Sequence, residues 1–98
     1  MLTVAESEQY EVLKKTLLDW LLSEKVKWAL IDARVLSMEG DRQSQAACLN
    51  SLIARAVNDE PAGILWLANS IRARLNKIKD CPLSSEQLGT LVRLYDQR

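Results

Sequence analysis

Few residues of this 98-residue chain have the type and spacing that catalysis needs. The chain contains no histidine, which excludes a Ser-His-Asp triad, a Cys-His nucleophile pair and a histidine-ligated metal. The carboxylates of Asp19, Asp32 and Glu39 form no recognisable acid–base pair, and the chain has no glycine-rich phosphate loop. We therefore expect a protein that is not an enzyme and that holds no metal or cofactor.

The two cysteines, Cys48 and Cys81, lie far apart in the sequence. Their spacing matches neither a zinc knuckle nor a CxxC redox motif. We expect two reduced thiols, with a disulfide as the alternative, because disulfides are rare in cytoplasmic proteins.

The charge balance excludes several classes of partner. Thirteen basic and thirteen acidic residues give a formal net charge of zero, so no global field attracts nucleic acid or an acidic membrane. Apolar residues make up 48% of the chain, which is too much for a disordered protein. No apolar run approaches the ~20 residues of a membrane span, and no signal-peptide pattern begins the chain. We expect one cytoplasmic domain, residues 1–98, that recognises a protein by shape.

Long patterns of 3.6-residue periodicity, with few glycines and prolines, predict an all-α fold of about five helices. Short connections between them imply antiparallel neighbours. The predicted helices span residues 3–22, 24–38, 42–57, 61–79 and 85–95.

Sequence signals mark several helix ends. Thr3 with Glu6, and Ser84 with Gln87, fit capping boxes, in which two residues satisfy each other's free backbone N–H groups. Gly40 is the expected stop of the second helix, because glycine adopts the left-handed conformation without penalty.

A weak internal repeat relates the two halves of the chain. A shift of about 38 residues aligns Trp28 with Trp66 and Arg34 with Arg72, and a tryptophan near the start of each unit is typical of tetratricopeptide repeats. This predicts tetratricopeptide-like helical hairpins. Chance similarity between two helical segments is the alternative.

The second helix has two opposite apolar faces. One face contains Val26, Ala29, Leu30, Ala33 and Leu36. The other face contains Trp28, Ile31, Val35 and Met38. A helix that is apolar all round must be covered on two sides. Either this helix is central in the bundle, or its second face lines a groove for a partner's amphipathic helix.

The fourth helix offers a similar surface around Trp66. The large indole lies beside Leu65 and the small residues Ser70 and Ala73, which makes a ridge and a trough that suit a docking helix. Ordinary core packing of Trp66 is the alternative. The predicted partner-binding residues are Trp28, Ile31, Val35, Met38, Leu65, Trp66 and Ala73.

These residues lie in a region that resembles a known family. Residues 30–41 read LIDARVLSMEGD and are followed by Glu60-Pro61 and Trp66. This layout is similar to that of the small tetratricopeptide-like chaperones that hold the needle subunit of bacterial type III secretion systems. The resemblance extends over roughly residues 17–97. The chain departs from the pattern at Arg42, where the family carries an aromatic residue after the glycine turn.

The resemblance implies a cytoplasmic chaperone whose concave face holds the amphipathic helix of a secreted needle subunit. A second small helical co-chaperone would complete a hetero-oligomer. Covering the apolar face of a self-polymerising subunit removes the driving force for polymerisation, and ~25 cal/mol per Å² of buried apolar area is ample stabilisation.

Two other functions fit the sequence. The run LLDWLL at residues 17–22 also suggests a death-fold-like homotypic adaptor. A helical immunity or antitoxin protein that neutralises a peptide is the other alternative.

Overall fold

The computed structural model describes all 98 residues and contains five α-helices, one short 3₁₀ helix and no strand. The helices are α1 (Val4–Leu21), α2 (Glu24–Asp32), α3 (Arg42–Val57), α4 (Pro61–Ala73) and α5 (Ser85–Asp96), with the 3₁₀ helix at Leu75–Lys77. The predicted all-α fold of about five helices is confirmed.

The helices pack mainly against their neighbours in sequence. α3 and α4 form the most extensive contact, α4 and α5 the next, and α2 packs on α3. α1 packs on α5 as well as on α2 and α3, so the first and last helices meet. The molecule is elongated, with extents of 42 × 25 × 19 Å. The pairs α2–α3 and α4–α5 are both in contact, which is consistent with the predicted hairpins but does not establish a tetratricopeptide-like arrangement.

Both predicted capping boxes are confirmed. The side chain of Thr3 accepts from the N–H of Glu6 (3.1 Å), whose carboxylate accepts from the N–H of Thr3 (3.1 Å). Ser84 and Gln87 repeat the arrangement at 3.1 and 2.9 Å. Because these caps satisfy free N–H groups, they fix the starts of α1 and α5.

The second helix is shorter than the predicted span of 24–38, because it ends at Asp32. Arg34 has a φ of 54°, which is the left-handed region. The N–H of Val35 then donates to the carbonyl oxygen of Leu30 (3.1 Å). This is the Schellman arrangement of a helix C-terminus, formed here with arginine where glycine is usual.

The residues after this turn enter the core instead of continuing the helix. Val35 and Leu36 are buried, and Met38 is half-buried. The prediction that Val35 and Met38 lie on a second face of the helix is therefore wrong, because both residues lie in the α2–α3 connection beyond Asp32. Burial of two aliphatic side chains in this connection, each contributing roughly 1.5–3 kcal/mol, offsets the cost of the left-handed arginine.

The fourth helix also ends before its predicted end at residue 79. It stops at Ala73, and the backbone continues through the 3₁₀ helix into an extended conformation at Ile78. Leu75 and Ile78 pack against the core with half-buried side chains. The connection to α5 therefore lies along the bundle rather than projecting as a further turn of helix.

Gly63 sets the close approach of α3 and α4. A Cβ atom at this position would lie 2.3 Å from the backbone nitrogen of Ala56 and 2.7 Å from the carbonyl oxygen of Leu52. Only glycine fits here without moving the backbone.

The core consists of twenty buried apolar side chains, and no polar or charged residue is buried. All five helices contribute, together with Val35, Leu36 and Leu83 from the connections. Polar chemistry is therefore confined to the surface of the bundle.

Candidate functional site

The seven predicted partner-binding residues lie in several different environments. Ile31 is 6% exposed and Val35 is fully buried, so both belong to the core and neither is accessible to a partner in this structure. Core packing therefore accounts for Ile31 and Val35, although α2 is not a central helix, because only Leu30 and Ile31 of the helix are buried. The five remaining residues are partly or fully exposed.

Trp28 is covered by another side chain of the same molecule. The guanidinium of Arg42 lies 4.3 Å from the centroid of the indole, in cation–π geometry. Two hydrogen bonds, from Arg42 Nε to Asp32 Oδ1 (3.0 Å) and from Nη2 to Oδ2 (2.8 Å), hold the guanidinium in place. The hydrogen bonds to Asp32 also raise the pKa of Arg42. The face of Trp28 is thus occupied within the chain.

Met38 lies at a surface depression of about 610 Å³ near the same end of α2. Charged and amide side chains dominate its walls, among them Arg34, Glu39 and Gln45. Gln45 Nε2 donates to the carbonyl oxygen of Gly40 (3.0 Å), which ties one wall to the turn. This depression is too polar to hold the apolar face of a helix.

The α4 residues lie on a separate surface. Leu65 and Trp66 are half-buried and line a shallow depression of about 380 Å³ together with Asn69 and Ser70. Ala73 is exposed at the end of α4 and lies outside that depression. The depressions at Met38 and at Trp66 share no residue, so the predicted residues do not form one continuous site.

The groove lined by the largest number of apolar residues lies on the other face of α2. Its volume is about 430 Å³. Its floor is formed by Leu30 and Val35. Its apolar walls are formed by Trp20, Val26, Ala29, Ala33 and Ile78, and its polar rim by Lys25, Lys77, Lys79 and Asp80. We call this feature the α2 groove.

Three local features build the α2 groove. Ser23 caps α2 directly after α1 ends, which places Trp20 beside the first turns of α2. The early end of α4 lets Ile78 lie opposite α2 as an extended residue. Asp80, with a φ of 61°, turns the chain away again toward α5. The opposite wall therefore depends on a segment that the sequence predicted as helix.

The apolar face of α2 that lines this groove is visible in the sequence at positions 26, 29, 30 and 33. Sequence reasoning missed the groove because its second wall, Lys77–Lys79, was assigned to the fourth helix. Leu36, the last member of that apolar face, is buried in the connection and takes no part in the groove.

The rim of the α2 groove carries unpaired positive charge. The ammonium groups of Lys25, Lys77 and Lys79 form no ion pair and no hydrogen bond. In contrast, Lys27, next to Lys25, pairs with Glu24 at 2.8 Å. Asp80 is the one carboxylate at the rim, so the groove is locally positive on a neutral chain.

The second polar cluster of the surface is centred on Asp59. Its carboxylate accepts from the hydroxyl of Tyr10 (2.8 Å) and from Lys14 Nζ (2.8 Å), and it lies 3.3 Å from Arg98 Nη1. The hydroxyl of Tyr95 donates to the backbone carbonyl oxygen of Asp59 (2.9 Å). These five residues, called the Asp59 cluster, join α1, the α3–α4 turn and the end of the chain.

The pKa directions agree with a structural role for the Asp59 cluster. Burial raises the pKa of Asp59, but hydrogen bonds from Lys14 and Tyr10 outweigh it, so the pKa is lowered on balance. Burial and the hydrogen bond to Asp59 raise the pKa of Tyr10 well above its usual range. The carboxylate and the phenol are each held in one protonation state, so neither is poised for proton transfer at neutral pH.

The remaining reactive groups offer no site. Cys48 is exposed and Cys81 half-buried, and both are free thiols, as predicted. Burial raises the pKa of the Cys81 thiol, which reduces its thiolate fraction and its reactivity. No group of histidine, cysteine, aspartate and glutamate residues is arranged to hold a metal ion. No helix has the length and apolar character that crossing a bilayer requires.

Comparisons with protein-family models, curated proteins and solved structures give no match.

Proposed function

We propose that this chain is a cytoplasmic binding module that holds an amphipathic helix of a partner protein. In keeping with the family that the sequence resembles, the partner is a secreted needle subunit of a type III secretion system. Binding covers the subunit's apolar helix face and prevents premature polymerisation. The observation that supports the proposal most directly is the α2 groove, an apolar surface channel that the chain itself leaves uncovered.

The shape of the α2 groove suits a helix. Val26, Ala29 and Ala33 follow the i, i+3, i+7 spacing of one helix face, and they span about 10 Å at 1.5 Å per residue. Ala29 and Ala33 are small, so the backbone of a second helix can approach closely. Trp20 and Ile78 form the walls on either side. The channel therefore accepts about two turns of a partner helix.

The energetics show that the groove is an anchor rather than a complete interface. Two or three buried leucine-sized side chains of the partner contribute roughly 1.5–3 kcal/mol each. Loss of translational and rotational freedom on association costs an estimated 4–15 kcal/mol. A tight complex therefore needs contacts beyond the groove, and the half-buried Leu65 and Trp66 provide further apolar surface.

The exposed part of α1 is proposed as the site of a second partner, a small helical co-chaperone. Val4 is 78% exposed and Val12 is 63% exposed, although both are β-branched apolar residues. They line an open depression of about 640 Å³ together with Leu2. Exposed apolar residues grouped on one helix are typical of a protein–protein contact.

Co-expression with the needle subunit from the same organism tests this function. Size-exclusion chromatography with light scattering measures whether a stoichiometric heteromeric complex forms. We expect a complex with the wild-type chain and with Ala47→Arg, a control on the exposed side of α3. We expect Ala29→Arg to lose the complex, because the arginine fills the channel. Absence of a complex, or an equal complex with both variants, contradicts the proposal.

A further inference from the structure

The distribution of charge around the α2 groove indicates the chemistry of its ligand. Lys25 lies on α2, whereas Lys77 and Lys79 lie on the opposite wall with Ile78 between them. None of the three ammonium groups has a partner in the chain, so positive charge borders the apolar channel on both sides and exceeds the single carboxylate of Asp80. Long lysine stems can lie along apolar surface while their charged ends stay in water.

We infer that the helix held in the α2 groove carries carboxylates on both flanks of its apolar face. This inference rests on the proposed function and specifies the chemistry of its partner. An apolar stripe of the ligand lies between Ala29 and Ile78. Aspartate or glutamate residues on one flank meet Lys25, and those on the other flank meet Lys77 and Lys79. Charge complementarity of this kind selects the partner and its orientation more than it adds affinity.

A fatty acid fits the rim less well than such a helix does. It would bring one carboxylate to a groove with three separated ammonium groups on two walls, and two of the three would remain unpaired. The groove is also built as one face of a helix with small residues, which matches the surface of a second helix.

A second copy of this chain also fits less well. The exposed face of α1 combines Val4 and Val12 with Glu8 and Glu11. At 100° per residue, Glu8 projects between the two valines instead of flanking them. Docked in the α2 groove, this face would place a carboxylate against the apolar floor, where burial of an unpaired charge is unfavourable.

Three synthetic helical peptides test the inference on the full chain. They share one Leu/Ala face and carry glutamate, glutamine or lysine on both flanks, and calorimetric titration measures their affinities. Each exposed ion pair contributes a factor of about 1.4 to 5, and repulsion of the lysine peptide widens the difference between the two peptides. We therefore expect the glutamate peptide to bind at least about tenfold more tightly than the lysine peptide, with the glutamine peptide between them. The preference decreases as the salt concentration is raised from about 50 mM to about 500 mM.

Two triple variants distinguish the effect of the rim lysines from the effect of the chain's net charge. The variant Lys25→Gln, Lys77→Gln, Lys79→Gln is expected to bind all three peptides within about twofold of one another. The control Lys15→Gln, Arg55→Gln, Arg93→Gln removes the same charge outside the groove and keeps the preference.

The outcomes distinguish this inference from the proposed function. Equal affinity for the glutamate and lysine peptides overturns the inference and leaves a charge-independent helix-binding groove. Failure of all three peptides to bind overturns the inference, whereas absence of the co-expressed complex overturns the proposed function. Competition by palmitate that abolishes peptide binding, or salt-sensitive self-association that the glutamate peptide does not displace, assigns the groove to another occupant and also overturns the inference.

Discussion

The Asp59 cluster and the α2 groove use charged residues in opposite ways. In the cluster, Lys14 and the Tyr10 hydroxyl bind directly to the carboxylate, and α1 is thereby tied to the α3–α4 turn. At the groove, Lys25 and Lys77 border an apolar channel without any partner. The first arrangement stabilises the fold. The second leaves the exposed ammonium groups free to pair with carboxylates of a partner.

This comparison predicts that the two regions respond differently to mutation. Changes in the Asp59 cluster or at the α3–α4 contact should lower the free energy of unfolding and leave the groove's ligand preference intact. Changes at the groove should alter binding with little effect on stability.

The largest expected effect on stability is that of Gly63→Ala at the α3–α4 contact. The new methyl group would meet the backbone of Ala56 at 2.3 Å, so α3 and α4 must move apart. We expect a loss of about 3 kcal/mol in the free energy of unfolding, measured by urea denaturation. Gly89→Ala is the control, because its methyl group meets only the end of the flexible Arg72 side chain, at 2.9 Å, and no backbone atom. An equal effect of both variants would show that the α3–α4 contact can relax.

Asp59→Asn is expected to have the next largest effect. It removes the charge that Lys14 and Arg98 approach, and it weakens the hydrogen bond from Tyr10. Hydrogen bonds to charged groups contribute about 1.5–3 kcal/mol, so we expect a loss of about 2 kcal/mol at neutral pH. Asp19→Asn is the matched control, since its pair with Lys15 is exposed and should contribute almost nothing. A loss of less than about 0.5 kcal/mol for Asp59→Asn would contradict the structural role of the cluster.

The stability difference between wild type and Asp59→Asn should depend on pH. The pKa of Asp59 is lower in the folded chain than its usual value of 3.8. A depressed pKa contributes stability that is complete above the unfolded pKa and is lost as the pH falls through the folded pKa. We therefore expect a constant difference from pH 5 to about 7 that decreases below about pH 4. A difference that grows on acidification would mean that the folded pKa is raised.

The sequence predicts the parts of this fold that have local signals. α1, α3 and α5 are found within about a residue or two of their predicted ends, the uncertainty that helix assignment itself carries. Their starts coincide with side-chain caps at Thr3, Asp41 and Ser84. The end of α2 was missed because its left-handed residue is Arg34 and not glycine, so Gly40 was the only visible stop.

The candidate site depends on tertiary packing and was predicted only in part. The residues of α2 that line the groove were recognised as one apolar face, but the preferred partner face was the opposite one. Burial of Ile31 and coverage of Trp28 by Arg42 depend on the turn after α2, and the wall at Ile78 depends on the early end of α4. Neither break carries a glycine or proline at its position, so periodicity alone extended both helices.

Arg42→Gln is expected to lower stability less than Gly63→Ala or Asp59→Asn, and it tests whether Trp28 is part of any binding surface. The Arg42–Asp32 pair is more than half exposed, and the cation–π contact lies at the surface, so we expect a loss below about 1 kcal/mol. The variant uncovers one face of Trp28. If the account is correct, affinity for the glutamate-flanked peptide stays within about twofold. Tighter binding would indicate that the partner uses the Trp28 face.

The central claim is that the α2 groove binds an amphipathic helix, and calorimetric titration of the glutamate-flanked peptide into wild type and Ala29→Arg tests it most directly. The account predicts one site per wild-type chain and a negative heat-capacity change from apolar burial. It predicts at least about tenfold weaker binding by Ala29→Arg, equivalent to 1.4 kcal/mol, with an unfolding free energy within about 0.5 kcal/mol of wild type. No saturable binding to wild type, or equal affinity in a stably folded Ala29→Arg, would contradict it.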